Sequence, residues 1–284
     1  MIIRNNIPGI NATRNKGISE GRMKKSLEKL SSGYRINRAG DDAAGLAISE
    51  LMRNQIKGLD QAMKNCNDGI SFTNTGDGAL AEVHSMLSRM KTLAVQSANG
   101  TYNSVARANL DKEREKLLEE IDRIGETSHF AGIQLFGHDD DPKGPPLPEI
   151  VAGDDVVFQV GPSAEETLVM ERYYIGSENL GLKKSSTFKT IDDANKAIPD
   201  IEAAIEAVAD VRATFGAASN RLEHAYNNLY VTDENMNAAE SQIRDTDMAD
   251  EFTEFTKDNI IFQSANAMAA QANSTVELVL NLLQ

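Results

Sequence analysis

The chain of 284 residues has no tryptophan, one cysteine, seven prolines and only 5% aromatic side chains. The single cysteine, Cys66, excludes an internal disulfide. So few aromatics, among many Ala, Asn, Glu and Lys, favour long helices over the core of a globular enzyme. No apolar run approaches the ~20 residues of a membrane span. The start, Met1 to Ile10, has neither the apolar centre nor the cleavage site of a secretory signal. A soluble chain is expected, either cytoplasmic or exported without a cleaved signal. Phosphate-cradling GxGxxG and GxxxxGK[ST] patterns are missing. The four histidines, His84, His129, His138 and His224, do not have ligand spacing. Asp139 to Asp141 reads as an acidic turn beside prolines. No cofactor, no metal and no catalysis are expected, and a net charge of -14 argues against a nucleic-acid partner.

What is present is organised around Leu30 to Ile48. Ser31, Ser32 and Gly33 are stop signals for a preceding helix. Asp41 or Asp42 can cap the following one. Arg35 and Arg38 lie between, opposite in charge to the Asp pair and placed to meet Asp41, Asp42, Asp245 or Asp247 of the same chain or of a neighbouring copy.

Helical periodicity fills most of the rest. Ile3, Ile7, Ile10, Met23, Leu27 and Leu30 are spaced for a helix over 3–34 that needs a partner, with Pro8-Gly9 delaying or kinking its start. Met52, Ile56, Leu59, Met63, Cys66, Ile70 and Thr73 step alternately by 4 and 3. A second series from Phe72 to Leu93 continues one residue out of phase. Cys66 is read as a buried small hydrophobe. After a turn at 100–104, Leu110, Leu117, Ile121 and Ile124 mark an antiparallel third helix. Residues 137–148 are a loop. Segments 155–160 and 167–172 form a hairpin, read as the only β region. A seam returns over 191–236, with Pro199 expected to start or bend the regular helix. Ser241 to Asp247 reads as a second joint.

The last segment repeats every seven residues: Met248, Phe255, Phe262, Ala269, Val276 and Leu283, with Ile261 and Met268 flanking. An apolar helix that its own chain cannot cover implies other copies. Residues 1–60 hold 11 basic and 6 acidic side chains, and residues 187–284 hold 6 and 17, as suits termini lying side by side. The expected fold is mostly α: a long, antiparallel, coiled-coil-like rod with a small β-hairpin cap and paired terminal helices. Its divisions fall at 1–45, 46–186, 187–239 and 240–284.

Several motifs then carry a resemblance. Leu30-Ser-Ser-Gly-Tyr-Arg-Ile-Asn-Arg-Ala-Gly-Asp-Asp-Ala-Ala-Gly-Leu-Ala-Ile-Ser49 resembles the N-terminal signature of bacterial flagellins. So do Asn67 to Ser71, Leu93 to Asn99, Asn220 to His224, Ala238 to Asp245, and the end from Asp247 through Ala270-Gln-Ala-Asn273 to Gln284. The resemblance implies a structural subunit that self-assembles into the flagellar filament, secreted and extracellular, exported by the type III route. Its terminal helices would form an inner layer through Leu27, Leu30, Met248, Phe252, Phe255, Phe262, Val276 and Leu283. Arg35, Arg38, Asp41, Asp42 and Asp245 would belong to linking spokes. The implied partners are further copies of the chain, an export chaperone, cap and hook-associated proteins, and the host's Toll-like receptor 5. Receptor contact is carried over to Arg89, Leu93 and Glu113. The short middle implies that variable outer domains are lacking. Two other readings share some of these features. One is a hook–filament junction protein; the other is a secretion-system component inserting 248–284 as an amphipathic helix. The acids of that segment disfavour membrane insertion.

Overall fold

The computed structural model describes residues 6–136, 155–182 and 187–282. Among the described residues, five helices and two small hairpins follow in order: α1 (Ile7–Ser32), α2 (Ala43–Ala98), α3 (Ser104–Thr127), β1 (His129–Phe130), β2 (Ile133–Gln134), β3 (Val156–Gln159), β4 (Thr167–Met170), α4 (Ile191–Arg244) and α5 (Met248–Leu282). The chain divides into two compact units, Met1–Ile56 with Glu234–Gln284, and Lys57–Asp233. Helices α2 and α4 contribute to both.

In the second unit, α3 and α4 each run antiparallel to α2. Arg107 Nε donates to the Ser97 carbonyl at 2.9 Å, and Arg89 pairs with Glu113 farther along, so α3 runs back beside α2. Arg212–Asp77 and Lys91–Glu202 fix α4 against α2 in the same sense. Between them lies a core that includes Leu80, Leu87, Met90, Leu93, Ile121 and Phe215. Each such side chain fully removed from water contributes roughly 1.5–3 kcal/mol. Cys66 belongs to the buried apolar set, as its place on the seam predicts. Gly76 has a packing reason: a Cβ there would land in the ring of Phe215.

Caps at the element ends explain where the helices stop. The Asn103 side chain accepts the Ala106 N–H at 2.7 Å and starts α3. Thr190 Oγ1 accepts the Asp193 N–H at 3.1 Å and starts α4. Regular helix therefore begins at Ile191 and runs on through Pro199, whereas the sequence expectation set its start near the proline or a bend there. A capping hydroxyl at Thr190, well upstream of Pro199, has already nucleated the helix, so the missing proline N–H does not set its start.

The hairpin over 155–172 is present as β3 and β4, with Val157 opposite Val169 and Phe158 opposite Leu168. It is not the only β structure. A second hairpin pairs His129 with Gln134 and Phe130 with Ile133. Its turn holds Ala131 at φ 51° and Gly132 at φ 85°, the left-handed pair that a tight two-residue hairpin requires. Phe72 of α2 meets Phe130 and Phe158 edge to face, so one ring anchors both hairpins.

In the first unit, α1 pairs with α5. The Asn6 side chain accepts the Gly9 N–H at 3.1 Å and caps α1. Pro8 lies in the first turn, where a backbone N–H has no intrahelical partner in any case. Helix therefore starts at Ile7, later than the apolar spacing from Ile3 suggests. Gly33, at φ 76°, ends the helix and its N–H returns to the Lys29 carbonyl at 2.8 Å. The ordering of pairs is antiparallel: Asn6 reaches the Ala272 carbonyl, Lys16 lies over the Phe262 ring, and Lys29 pairs with Glu251.

Candidate functional site

The seam between α1 and α5 is built from small and polar residues. Gly9, Ser19 and Ser26 are buried on α1, and Asp258 and Ala265 on α5. Met23, Leu30, Phe255, Phe262 and Ala269 are half-buried at its margins. Small residues let two helices approach closely but bury little apolar surface. The large apolar residues face outward instead. Ile10 is 62% exposed, Leu27 55%, Phe252 61% and Met268 64%, with Ile7, Ile18, Met248, Ile260 and Ile261 exposed beside them. The stripe picked out by sequence periodicity on α1 is thus mostly not the seam with α5. Ile7, Ile10 and Leu27 lie on surfaces that one chain leaves open. The Val276 side chain and Leu283 lie outside the described residues, as do Ile3 and the acidic loop.

The two joints of this unit lie together. The Arg35 N–H donates to the Arg244 carbonyl at 2.7 Å, and the Thr246 N–H donates to the Gly33 carbonyl at 3.0 Å. Tyr34 and Asp245 form the bridge between these bonds, a short antiparallel ladder. Ile36 is buried beneath it, close to Gly45. Helix α4 continues to Arg244, so the second joint comprises only residues 245–247, shorter than the polar run suggests.

The charged residues predicted for this joint are present, but their partners differ. Arg35 Nη2 donates to the Ile243 carbonyl at 2.5 Å and Arg38 Nε donates to Glu28 at 2.8 Å; within the described chain neither guanidinium pairs with Asp41, Asp42, Asp245 or Asp247. The two aspartates instead accept backbone N–H groups. Asp42 accepts from Gly45 at 2.9 Å and caps α2, and Asp41 accepts from Arg38 at 3.1 Å. That N–H donation holds the Asp41 carboxyl below the usual carboxylate range, with Lys25 and Lys29 adding a smaller attraction. The physical reason is proximity: Asp42 finds the Gly45 N–H three residues ahead, and Asp41 the Arg38 N–H three residues behind, before either finds a guanidinium.

Sequence reasoning missed Arg244, which is central to the joint. Its guanidinium lies 4.8 Å from the Tyr34 ring centre and its Nη1 donates to Glu50 at 2.8 Å. A basic residue in the last turn of α4 was the available signal.

In the second unit, Arg89 and Glu113 form an exposed pair at 2.7 Å. Leu93, expected beside them at a receptor surface, is 0% exposed and belongs to the core. Its side chain offers nothing to a partner, because its place on the α2 seam turns it inward. Among the described residues no cluster of three or more His, Cys, Asp or Glu could hold a metal ion, and no helix is long and apolar enough to cross a membrane.

Comparison with known proteins bears on an arrangement of this kind. A family profile described as "Bacterial flagellin N-terminal helical region" matches residues 3–140, and one described as "Bacterial flagellin C-terminal helical region" matches residues 198–283. A flagellin of Halalkalibacterium halodurans is 46% identical over 287 residues, covering 100% of both chains. The flagellin of Bacillus subtilis and the 30.7 kDa flagellar filament core protein of Treponema maltophilum are each 40% identical, again with 100% of both chains covered. Among solved structures, Bacillus cereus flagellin is 32% identical with a TM-score of 0.49, covering 58% of this chain and 88% of that one.

Proposed function

The chain belongs to the bacterial flagellin family, and on that footing we propose that its paired terminal helices are the surfaces through which copies stack. It is a structural subunit of the bacterial flagellar filament, a component of an exported, extracellular polymer. The observation that carries the assembly reading is the inverted α1–α5 pair, with small residues inside and Ile10, Ile18, Phe252 and Met268 outside. A lone copy exposes this apolar surface to water, and burying it between copies is the largest gain open to the first unit. Leu27, Leu30, Met248, Phe255 and Phe262 contribute to the same layer, with Val276 and Leu283 continuing the heptad. The joint, with Arg35, Arg38, Asp41, Asp42 and Asp245, serves as the spoke that leaves this layer. Seeded polymerisation watched by electron microscopy tests the reading. Phe252→Gln with Met268→Gln should abolish filaments while helix content stays at the parent level. Filaments formed at the parent's critical concentration would rule the surface out.

Further partners follow from the same footing. A chaperone covers the apolar α5 before export, which proceeds unfolded through the flagellar type III apparatus, and cap and hook-associated proteins support assembly at the ends. Toll-like receptor 5 recognises the α2–α3 surface through Arg89 and Glu113, which are exposed and joined to each other. Leu93 acts there only by supporting that surface from beneath. A reporter-cell assay on Arg89→Glu tests this, with loss of signalling at unchanged filament yield as the supporting result.

A further inference from the structure

Charge is divided between the two terminal helices. Helix α1 carries six basic side chains and two acidic, and α5 carries five acidic and one basic. Side-by-side termini invite these charges to pair within one chain. Among the described residues only one ion pair, Lys29–Glu251, joins the two helices. Arg14, Arg22 and Asp250 are exposed with no side-chain partner among the described residues. Lys25 is exposed with Asp41 only at 3.9 Å, and Glu254 is exposed and held by Lys257 of its own helix.

The unused charges lie in order. At about 100° per residue, Ile7, Ile10, Arg14, Ile18 and Lys25 fall on one stripe of α1, on the side away from Gly9, Ser19 and Ser26, with Arg22 at its edge. On α5, Asp250, Glu254, Ile261 and Met268 share one exposed stripe by the same reckoning. Each stripe has a more charged end and a more apolar end, with Arg14 lying between Ile10 and Ile18 on α1. In α1 the apolar end comes first, and in α5 the acidic end comes first. With the helices antiparallel, as Lys16–Phe262 and Lys29–Glu251 show, the basic end is level with the acidic end and apolar with apolar.

We propose that the basic–apolar stripe of α1 docks on the acidic–apolar stripe of α5 in a second copy, antiparallel and in the register that the two helices keep within one chain. Arg22 and Lys25 then face Asp250 and Glu254, while Ile10 and Ile18 face Met268 and Ile261. The contact joins two different surfaces, so each copy offers one half to each neighbour and the assembly propagates instead of closing as a pair. The inference rests on the reading of the terminal helices as the assembly surface and adds which face meets which.

A charge swap between copies tests it. One variant carries Arg22→Glu and Lys25→Glu; the other carries Asp250→Lys and Glu254→Lys. Alone, each faces like charge with like, and its critical concentration for polymerisation should rise about tenfold or more. Mixed in equal amounts they should form filaments containing both, since the new acidic α1 fits the new basic α5 and the two unchanged stripes fit each other. A chain carrying all four substitutions should polymerise by itself. The proposal is overturned if either variant polymerises like the parent. It is equally overturned if mixture and four-fold variant fail while helix content matches the parent. Should a variant lose its helices, the parent decides: its critical concentration must rise between about 50 and about 200 mM sodium chloride, as paired exposed charges are screened, and no rise overturns the proposal. A parent that forms no filaments on seeding would instead remove the assembly reading beneath it.

Discussion

Two glycines of α2, two residues apart, should respond in opposite directions to the same change. Replacing an interior helical glycine by alanine gains about 1 kcal/mol, mostly by restricting the unfolded chain. Gly78 has open space where a Cβ would be added, so Gly78→Ala should stabilise by about that amount. At Gly76 the new methyl would meet the ring of Phe215, which is 1% exposed and held between α2 and α4. Overpacking of that kind costs about 1–3 kcal/mol. The net effect of Gly76→Ala is then between nearly neutral and about 2 kcal/mol destabilising, always well below Gly78→Ala. Urea unfolding followed by far-ultraviolet circular dichroism measures both. The denaturant slope should stay unchanged, so that shifts in midpoint report stability. Phe215→Leu combined with Gly76→Ala should be non-additive, with the clash relieved. If both alanine variants gave equal stabilisation, the close approach of α2 and α4 at Phe215 would be refuted.

Other expectations follow from the same geometry. Arg35→Glu removes the bond to the Ile243 carbonyl and should cripple filament assembly with little change in subunit helix content; normal filaments would show that the joint tolerates its loss. Leu93→Ala opens a cavity in the core and should cost about 2–5 kcal/mol by urea unfolding, far more than Arg89→Ala on the exposed side of the same helix. Because Asp41 is held below its ordinary range, its contribution is present above that range and is lost as pH falls through the lowered value. Asp41→Asn should flatten the acid limb of amide-exchange protection at the Arg38 N–H, whereas an unchanged limb would exclude this carboxylate as the group responsible. Burial pushes the Cys66 thiol up, so iodoacetamide should label it slowly in the native subunit and rapidly in urea; equal rates would mean an accessible thiol.

Much of the fold was legible because its signals are local and periodic. The 3–4 stepping through Leu59, Cys66, Thr73, Val83, Met90 and Leu93 placed α2, and the polar break at Ser31–Gly33 with Asp42 placed the joint. The β1–β2 hairpin escaped because two-residue strands carry no periodicity; only Ala131-Gly132 marked the turn. Periodicity also reports that a helix face is apolar without reporting what covers it. That is why Leu93, wholly inside, and Ile10, mostly outside, looked alike in the sequence. The partners of Arg35 and Arg244 depend on backbone carbonyls and an aromatic face brought in from about 210 residues away, which no local pattern encodes.

The ladder at Tyr34 and Asp245 also orders events in time. Its two strands are separated by most of the chain, so a polypeptide delivered from its N-terminus cannot close it until Thr246 has arrived. Until then α1 has no companion and, with Gly17 and Gly21 in its middle, little tendency to hold a helix alone. The latch therefore works as a completeness check. A chain truncated before Arg244 cannot close the joint, cannot present α1 and α5 as a pair, and should be refused by a growing polymer without any separate inspection step.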